Sequence, residues 1–158
     1  MGQEIERKFR VRLALWTPQG EGLHFRQGYL STDKRRVVRV RMEGERGRLT
    51  IKGPTVGLSR SEFEYDIPAA DALALLEQLC EQPIIDKHRH VEWHHGKRWE
   101  IDVFHGDNAG LVVAELELAS EAETFTPPDW LGEEVSHDPR YFNAALQQHP
   151  FKDWAPRA

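Results

Sequence analysis

The chain has 158 residues, the size of one ordinary domain, and residues 1–158 are expected to fold as a single unit with a substantial core. Charged residues make up 30% of the chain and hydrophobic residues 39%, a composition typical of a globular but unusually ionic protein. The formal net charge of −5 argues against a dedicated binder of duplex nucleic acid, which would normally be basic.

Cysteine content and hydropathy restrict the cellular context. Cys80 is the only cysteine, which excludes an internal disulfide framework. No apolar leader segment follows Met1, and no run of residues is long and apolar enough to cross a membrane. We therefore expect a cytoplasmic protein that does not bind membranes.

Alternation of apolar and polar residues predicts that most of the chain forms β-strands. Five strands come first, at residues 3–13, 23–31, 36–43, 48–53 and 60–67. Pro68 ends the fifth of these strands. Leucines at helical spacing then predict a helix over residues 69–81 that packs against the sheet.

The second half of the chain returns to the extended pattern. Three more strands are predicted at residues 84–94, 97–104 and 111–118, and a hairpin loop at residues 105–110 joins the last two. Near the end of the chain, Asp138 can cap a helix and Pro139 fits its first turn. A second helix is therefore predicted over residues 138–149.

The first predicted strand carries three ionisable residues on one face. Because alternate side chains of a strand point the same way, Glu4, Glu6 and Lys8 lie in a row, opposite Ile5 and Phe9. Two carboxylates at this spacing can share a hard divalent cation, and the lysine can contact an anion that accompanies the cation. The alternative is an ordinary solvated strand face.

Most of the other strands repeat this division between an apolar face and a charged face. An ordinary antiparallel sheet also alternates, but its polar face usually includes uncharged residues. Here nearly every polar position is ionic, and both signs of charge occur. Such a face is reasonable if the sheet closes into a barrel with its charges inside, where water, metal ions and a multiply charged anion would compensate them. The two predicted helices would then cover the apolar outer face.

These residues resemble the motifs of the CYTH superfamily, the triphosphate tunnel metalloenzymes. The family signature Glu-x-Glu-x-Lys is present at residues 4–8, and the other motifs follow in order along most of the chain: Gln27-Gly28-Tyr29-Leu30, Arg39-x-Arg41, Leu49-Thr50-Ile51-Lys52-Gly53, Arg60-x-Glu62-x-Glu64, Lys87-x-Arg89, Glu100-x-Asp102, Glu115-x-Glu117 and Asp138-Pro139-Arg140-Tyr141-Phe142-Asn143. The resemblance implies an α+β fold built on a closed eight-stranded antiparallel β-barrel, a tunnel, with helices packed outside.

The resemblance also implies a small-molecule substrate with a linear triphosphate, and a divalent metal, Mg²⁺ or Mn²⁺. Basic side chains would hold the phosphate oxygens, and the candidates are Lys8, Arg39, Arg41, Lys52, Lys87 and Arg89. The best candidate metal ligands are two pairs of acids on two strands, Glu4, Glu6, Glu115 and Glu117. Four supporting acids are either second candidates for the metal or ion-pair partners that orient the arginines: Glu62, Glu64, Glu100 and Asp102.

Three of these residues are predicted to take part in the chemistry itself, namely Lys8, Tyr29 and Lys87. A lysine in a crowded cationic lumen can have a lowered pKa and act as a base, although a plain phosphate clamp is the slightly preferred role for Lys87. Tyr29 could instead serve only to pack the barrel.

Three other patterns are set aside. The histidines at positions 88, 90, 94 and 95 suggest a zinc cluster, but His88 and His90 are predicted to point away from the charged face of their strand, and no cysteine or carboxylate completes the set. Trp93 and Trp99 are predicted to pack in the core rather than to stack on bases. The P-loop pattern G-x-x-x-x-G-K-[ST] does not occur in the sequence.

Three functions are compatible with these residues. The first is a metal-dependent hydrolase of inorganic tripolyphosphate or of a nucleoside triphosphate, the second a class IV-type adenylate cyclase, and the third a non-catalytic polyphosphate-binding module. A cyclase needs an adenine pocket, for which no base-reading residues are evident, and a mere binder would not need two acid pairs for metal. We therefore predict a triphosphatase that prefers tripolyphosphate, with thiamine triphosphate and a homo-oligomeric state left open.

Overall fold

The computed structural model describes residues 2–154, so Met1 and residues 155–158 of the expected domain lie outside it. The strands and α-helices of this part of the chain are β1 (Gly2–Val11), β2 (Leu23–Ser31), β3 (Val37–Glu43), β4 (Arg46–Lys52), β5 (Ser59–Ile67), α1 (Ala69–Gln78), β6 (Ile85–His94), β7 (Lys97–Phe104), β8 (Val112–Glu117), β9 (Leu131–Glu134) and α2 (Asn143–Gln148). Short 3₁₀ turns lie at Gly106–Asn108, Pro139–Tyr141 and Phe151–Asp153. No helix of the described chain is long and apolar enough to cross a membrane.

The eight predicted strands are all present and close into a barrel. Neighbouring strands pair in the order β5-β4-β3-β2-β6-β7-β8-β1, and β1 also pairs with β5, which joins the two ends of the sheet. Strand β1 can do this because residues 2–5 pair with β5 while residues 6–10 pair with β8. Every pairing in the barrel is antiparallel. The closed eight-stranded antiparallel barrel is therefore confirmed.

The ninth strand is absent from the sequence prediction. Its four residues, Leu-Gly-Glu-Glu, are too few to show a recognisable alternation. Strand β9 pairs with the end of β1, where Val11 lies opposite Leu131 and Phe9 opposite Glu134. This pairing anchors the last part of the chain to the first strand.

The strand register brings charged side chains into shared layers inside the barrel. His95 and Gly96, with φ of 51° and 77°, form the two-residue turn between β6 and β7, a conformation that suits tight hairpins. Side chains alternate along each strand, so the inward-facing charged residues of neighbouring strands lie beside one another where β6 pairs with β7, β7 with β8 and β8 with β1. The opposed pairs are Arg89 and Asp102, Glu100 and Glu115, Lys8 and Glu115, and Glu6 and Glu117.

The apolar outer face of the barrel is covered in two ways. Helix α1 packs Ala72 and Leu76 against Val40 of β3, as the sequence predicts. Over β1, β7 and β8 the cover comes instead from the connecting segments, in which Trp16 and Trp130 pack in one cluster with Trp99 and other residues of these strands. These segments are irregular and have no periodicity from which the sequence analysis could place them.

The predicted helix over residues 138–149 forms only in its second half. Asp138 does act as a cap, accepting a hydrogen bond from the backbone N–H of Arg140 at 3.1 Å, but it caps a 3₁₀ turn. Phe142 is then extended, with φ of −69° and ψ of 136°, and the α-helix begins at Asn143.

The position of this second helix also differs from the expected cover of the outer face. Leu146 of α2 packs in one cluster with Tyr29, Val37, Ile85 and Phe104. By strand alternation these four residues share the inward face of their strands with charged residues of the lumen. Helix α2 therefore closes one end of the barrel.

The two tryptophans that the sequence assigns to the core have different environments. Trp99 is fully buried, whereas Trp93 is 67% exposed, so the prediction is wrong for Trp93. Strand β2 pairs with β6 only as far as Arg89, and the rest of β6 pairs with β7 alone. The β6–β7 hairpin thus extends beyond the barrel, which leaves the side chain of Trp93 without cover.

Candidate active site

The barrel encloses a cavity of about 500 Å³ that residues from all eight barrel strands line. This volume lies within the usual range of small-molecule sites, about 300–1,000 Å³. Of the predicted site residues, Asp102 is buried in the barrel wall, and the others line the cavity. They are Glu4, Glu6, Lys8, Tyr29, Arg39, Arg41, Lys52, Glu62, Glu64, Lys87, Arg89, Glu100, Glu115 and Glu117.

Two guanidinium groups of the cavity wall contact the same aromatic ring. The Cζ atoms of Arg41 and Arg89 each lie 4.7 Å from the ring centroid of the buried Phe25. Glu43 accepts two hydrogen bonds from Arg41, at 3.0 and 2.7 Å. Burial, together with the nearby Arg39 and Arg89, lowers the pKa of Arg41 to about 10, so the group stays protonated at neutral pH among like charges. A bound anion would relieve this repulsion.

Arg39 has a hydrogen-bond donor that the protein does not use. Its Nη2 donates to Thr50 Oγ1 at 3.1 Å and lies 3.5 Å from the carboxylate of Glu64. Its Nε is buried and has no hydrogen-bond partner among the described residues. Since buried polar groups are normally paired, this N–H is an unsatisfied donor within the barrel wall.

Lys87 is held in the wall by an ion pair. Its Nζ lies 2.8 Å from Asp102 Oδ2, and Asp102 also accepts hydrogen bonds from Arg89 at 2.8 and 2.9 Å. Burial lowers the pKa of Lys87 to about 7, because the opposing attraction of Asp102 is too weak to offset it and Arg89 lowers the pKa further. Burial raises the pKa of Asp102, but Arg89 and Lys87 outweigh it and hold this pKa below its usual value. These contacts favour the ion-pair interpretation for Asp102.

Two of the candidate metal acids face each other, and Lys8 Nζ, which lies 3.6 Å from Glu6 Oε1, compensates only part of their charge. Glu6 and Glu117 are directly opposite in the β1–β8 ladder. Burial and then the neighbouring Glu115 raise the pKa of Glu6 to about 7, against the lowering effect of Lys8. Burial likewise raises the pKa of Glu117, and Glu4 adds to this effect.

The other two candidate acids are paired with lysines. Glu115 accepts a hydrogen bond from Lys8 Nζ at 2.7 Å, and Glu4 accepts one from Lys52 Nζ at 2.9 Å. Burial raises the pKa of Glu115, but Lys8 and Arg89 outweigh it and hold this pKa well below its usual value. Burial lowers the pKa of Lys8, but Glu115 and the other nearby acids raise it above its usual value. Lys8 and Glu115 are therefore both charged at neutral pH.

These four acids fit a divalent metal by their chemistry rather than by a preformed arrangement. In residues 2–154 no group of three or more histidine, cysteine, aspartate or glutamate side chains is arranged to hold a metal ion. Carboxylate oxygens are nevertheless the ligands that Mg²⁺ and Mn²⁺ prefer. The raised pKa of Glu6 also marks a place where a cation would relieve repulsion between carboxylates.

The remaining supporting acids contact cations of the wall. Glu62 lies 3.5 Å from Lys52, and Glu100 lies 3.3 Å from Arg89. Glu64 accepts a hydrogen bond from Thr50 at 2.9 Å and lies beside Arg39. For these residues, too, the structure favours a role in orienting the basic side chains.

The sequence analysis assigned no role to three uncharged residues of this site. The Thr50 hydroxyl accepts a hydrogen bond from Arg39 and donates one to Glu64. Gln27 donates from Nε2 to the Tyr29 hydroxyl at 3.1 Å, and Asn143 Oδ1 accepts from Lys87 Nζ at 2.9 Å. Thr50 and Gln27 stand at inward positions of their strands, a signal that could have identified them. Asn143 lies on α2, outside any strand pattern.

Comparison with known proteins shows close relatives over almost the whole chain. The CYTH domain model matches residues 2–142. The inorganic triphosphatase of Acetivibrio thermocellus is 47% identical over 154 residues, which covers 98% of this chain and 99% of that protein. The inorganic triphosphatase of Nitrosomonas europaea is 40% identical over 150 residues, covering 90% and 95%. The solved structure of the inorganic triphosphatase NE1496 is similar with a TM-score of 0.64 at 36% identity, covering 90% of this chain and 96% of that chain.

The family match and the geometry of the barrel agree. Most of the charged residues of the motifs shared with the triphosphate tunnel metalloenzymes lie on the inward faces of a closed eight-stranded barrel, where they line one cavity. On the strength of the domain match and of relatives that span nearly the full length of both chains, this chain belongs to the CYTH domain family.

Proposed function

We propose that this protein is a divalent-metal-dependent hydrolase that cleaves inorganic tripolyphosphate inside the barrel. The observation that carries the proposal is the charge pattern of the lumen, where basic side chains on β1, β3, β4 and β6 surround crowded carboxylates on β1 and β8. A linear triphosphate together with a divalent cation would compensate both sets of charges. The relatives named inorganic triphosphatase, and the metal dependence general among CYTH triphosphatases, support this assignment.

The basic wall would bind the phosphate groups. Arg39, Arg41 and Arg89 can offer parallel N–H groups to two oxygens of one phosphate, whereas Lys8 and Lys52 act as point charges. The contacts of Arg41 and Arg89 with Phe25 support binding by groups that are already in place. Such preorganised cations stabilise the charge on a transferring phosphoryl group.

Glu6 and Glu117, with Glu4 and Glu115 beside them, would hold Mg²⁺ or Mn²⁺. When bound, such an ion neutralises charge on the phosphate oxygens and helps to place the attacking water. Lys8 and Lys52, which now contact Glu115 and Glu4, would then be released to contact phosphate oxygens.

Lys87 is our candidate for the group that removes a proton from the attacking water. Its pKa of about 7 means that much of its amine is neutral at neutral pH. As the water oxygen bonds to a terminal phosphorus, the amine accepts one of its protons, and the bond from that phosphorus to the bridging oxygen breaks. The products are orthophosphate and pyrophosphate. Tyr29, whose hydroxyl lies in the same wall, can donate a hydrogen bond to the water or to a phosphate oxygen.

The composition of the cavity wall supports an inorganic substrate over a nucleotide. Among the described residues that line the cavity, only Tyr29 and Phe142 are aromatic, whereas charged residues come from nearly every strand. This wall offers many groups to phosphates and few to a base. It therefore supports the hydrolase over the adenylate cyclase that the sequence analysis left open.

The most direct test of the proposed function compares substrates and metals. Purified protein should release orthophosphate from tripolyphosphate with Mg²⁺ or Mn²⁺, and kcat/KM should exceed that for ATP at least tenfold, which is about 1.4 kcal/mol of transition-state binding. Phosphate and cyclic AMP should be measured side by side with tripolyphosphate, ATP and thiamine triphosphate. No cyclic AMP is expected.

Three outcomes of this comparison would contradict the proposal. Undiminished phosphate release in excess EDTA would argue against the metal. Formation of cyclic AMP faster than hydrolysis of tripolyphosphate would favour the cyclase, and tight binding of tripolyphosphate without cleavage would favour a binding module.

Glu6→Gln should abolish turnover and stabilise the metal-free protein at neutral pH. The pKa of Glu6 rises from 4.5 to about 7 on folding, so the folded state binds more protons than the unfolded state between these values. Ionised Glu6 therefore destabilises the fold, and the penalty grows as pH rises from 4.5 to 7. Above pH 7 the variant should be more stable by about 1–3 kcal/mol, a range that allows for the partial exposure of the side chain.

Urea unfolding in EDTA at pH 4.5 and pH 8 measures this effect. The gain should disappear at the lower pH, where Glu6 is protonated in the folded wild type. Glu45→Gln, at an exposed carboxylate in the β3–β4 turn, is the matched control and should change neither turnover nor stability. Retained turnover in Glu6→Gln would remove Glu6 from the metal site.

Lys87→Arg separates the two roles considered for Lys87. The substitution keeps a positive charge but removes a group that can be neutral near pH 7, so a general base should lose about 10²–10⁴-fold in kcat with KM nearly unchanged. The rise of kcat with pH near 7 should disappear as well. Steady-state kinetics from pH 5 to 9 provide the measurement, with Lys152→Arg at an exposed site as the control. Near-normal kcat in Lys87→Arg would show that Lys87 only clamps phosphate.

A further inference from the structure

Two side-chain amides connect the candidate catalytic residues Tyr29 and Lys87. Asn143 Oδ1 accepts hydrogen bonds from Lys87 Nζ at 2.9 Å and from Gln27 Nε2 at 3.1 Å. Gln27 Nε2 also donates to the Tyr29 hydroxyl at 3.1 Å. A continuous path of hydrogen bonds and one ion pair therefore runs from Tyr29 through Gln27, Asn143 and Lys87 to Asp102.

Asn143 supplies a second directed contact to the amine of Lys87. The first is Asp102, at 2.8 Å. Two aromatic rings also lie near the amine, with the centroids of Phe25 and Phe104 at 6.0 and 5.4 Å from Nζ. Rings attract a cation but direct it weakly, whereas two acceptors on different elements fix both the position and the orientation of the amine.

The segment that carries Asn143 is bound to β1 at Lys8. The backbone N–H of Lys8 donates to Ser136 Oγ at 2.9 Å, and the N–H of Val135 donates to the Lys8 carbonyl at 2.8 Å. The buried Leu146 then holds α2 against the end of the barrel. The position of Asn143 is thus set by contacts that do not involve its own side chain.

A role in helix capping does not explain an asparagine at this position. Asn143 is the first residue of α2, and no side-chain cap hydrogen bond forms at the start of this helix. The amide oxygen instead contacts Lys87 and Gln27 in the cavity wall. The side chain therefore serves the site rather than the helix.

We propose that Asn143 is a positioning residue of the hydrolase, which holds the Lys87 amine toward the attacking water and couples it to Tyr29 through Gln27. The inference rests on the proposed function, since it assigns a role in that same reaction. It makes the C-terminal segment a part of the active site, in addition to its role in closing the barrel.

Substitutions at position 143 can separate geometry from charge. The charged groups that act on Lys87 come from four strands, namely Arg41 on β3, Arg89 on β6, Asp102 on β7 and Glu115 on β8. Alanine at position 143 removes the acceptor. Aspartate keeps an acceptor for both donors but adds a negative charge, which favours the protonated amine.

The kinetic test compares Asn143→Ala and Asn143→Asp with His149→Ala, which removes an exposed side chain just beyond α2. We expect Asn143→Ala to lower kcat for tripolyphosphate about tenfold or more on the high-pH plateau, where Lys87 is neutral in both proteins, with KM within about threefold of wild type. Asn143→Asp should approach wild-type kcat at high pH, with the rising limb of the pH profile moved up by about one unit. His149→Ala should stay close to wild type.

A second readout does not need turnover. The ¹³Cε signal of Lys87, assigned by its loss in Lys87→Arg, can be titrated by NMR in each variant. Compared with wild type, the apparent pKa of Lys87 should be about one unit higher in Asn143→Asp and lower in Asn143→Ala, where the protonated amine loses an acceptor. The value in His149→Ala should be unchanged.

These measurements distinguish failure of the inference from failure of the proposed function. An unchanged kcat, pH profile and Lys87 titration in both Asn143 variants would overturn the positioning role while the hydrolase assignment stands. A wild type that does not cleave tripolyphosphate would overturn the assignment, and the NMR titration would still decide whether Asn143 acts on Lys87. If Asn143→Ala does not fold, the pH shift in Asn143→Asp decides alone.

Discussion

Closing eight strands with ionic inner faces into one barrel brings like charges close together, and the site depends on this constraint. Pairs such as Lys8 with Glu115 compensate part of the charge. Uncompensated charge of both signs remains, and it contributes to the raised pKa of Glu6 and the lowered pKa of Arg41. Burying uncompensated charge is costly for a protein on its own. In the proposed function, a triphosphate and a divalent cation together supply charges that compensate this repulsion.

The closed end of the barrel gives Lys87 its special chemistry. Apolar side chains on the inward strand faces, with Leu146 of α2 packed over them, surround the amine with a poorly solvated wall. Burial is the main cause of its lowered pKa. Attraction to Asp102 raises the pKa and so limits this effect, which leaves the pKa at about 7. The same segment brings Asn143 to the amine. The element that closes the barrel therefore also contacts the candidate base.

Strand alternation was sufficient to predict the barrel strands and their charged faces. Every inward charged residue that was proposed from the sequence reaches the cavity or, for Asp102, its wall, because the side-chain direction in a strand follows from its position alone. The resemblance to the CYTH superfamily added the closed eight-stranded tunnel as the expected fold, and it supplied most of the candidate site residues. The assignment of individual roles to these residues stays a prediction.

The features that the sequence did not reveal depend on contacts between distant parts of the chain. Strand β9 is too short for a pattern, and it forms because β1 offers it an edge. Trp93 has the alternation of a barrel residue but lies where β6 has lost one of its neighbours. Asn143 belongs to the last of the motifs shared with the family, but its contact with Lys87 depends on the placement of α2 at the end of the barrel. In each case strand pairing or packing determines the environment of the residues, and local periodicity in the sequence does not predict either one.

In the proposed function, the triphosphate binds to the basic side chains of the lumen and the divalent metal binds to its carboxylates. A crystal structure of the protein with Mn²⁺ and a non-hydrolysable imido analogue of tripolyphosphate, with the metal located by anomalous scattering, tests it most directly. We expect the anomalous peak inside the barrel in contact with Glu6 and Glu117, and phosphate oxygens on Arg39, Arg41 and Arg89. An analogue bound outside the barrel, or a metal held away from the β1 and β8 acids, would contradict the account.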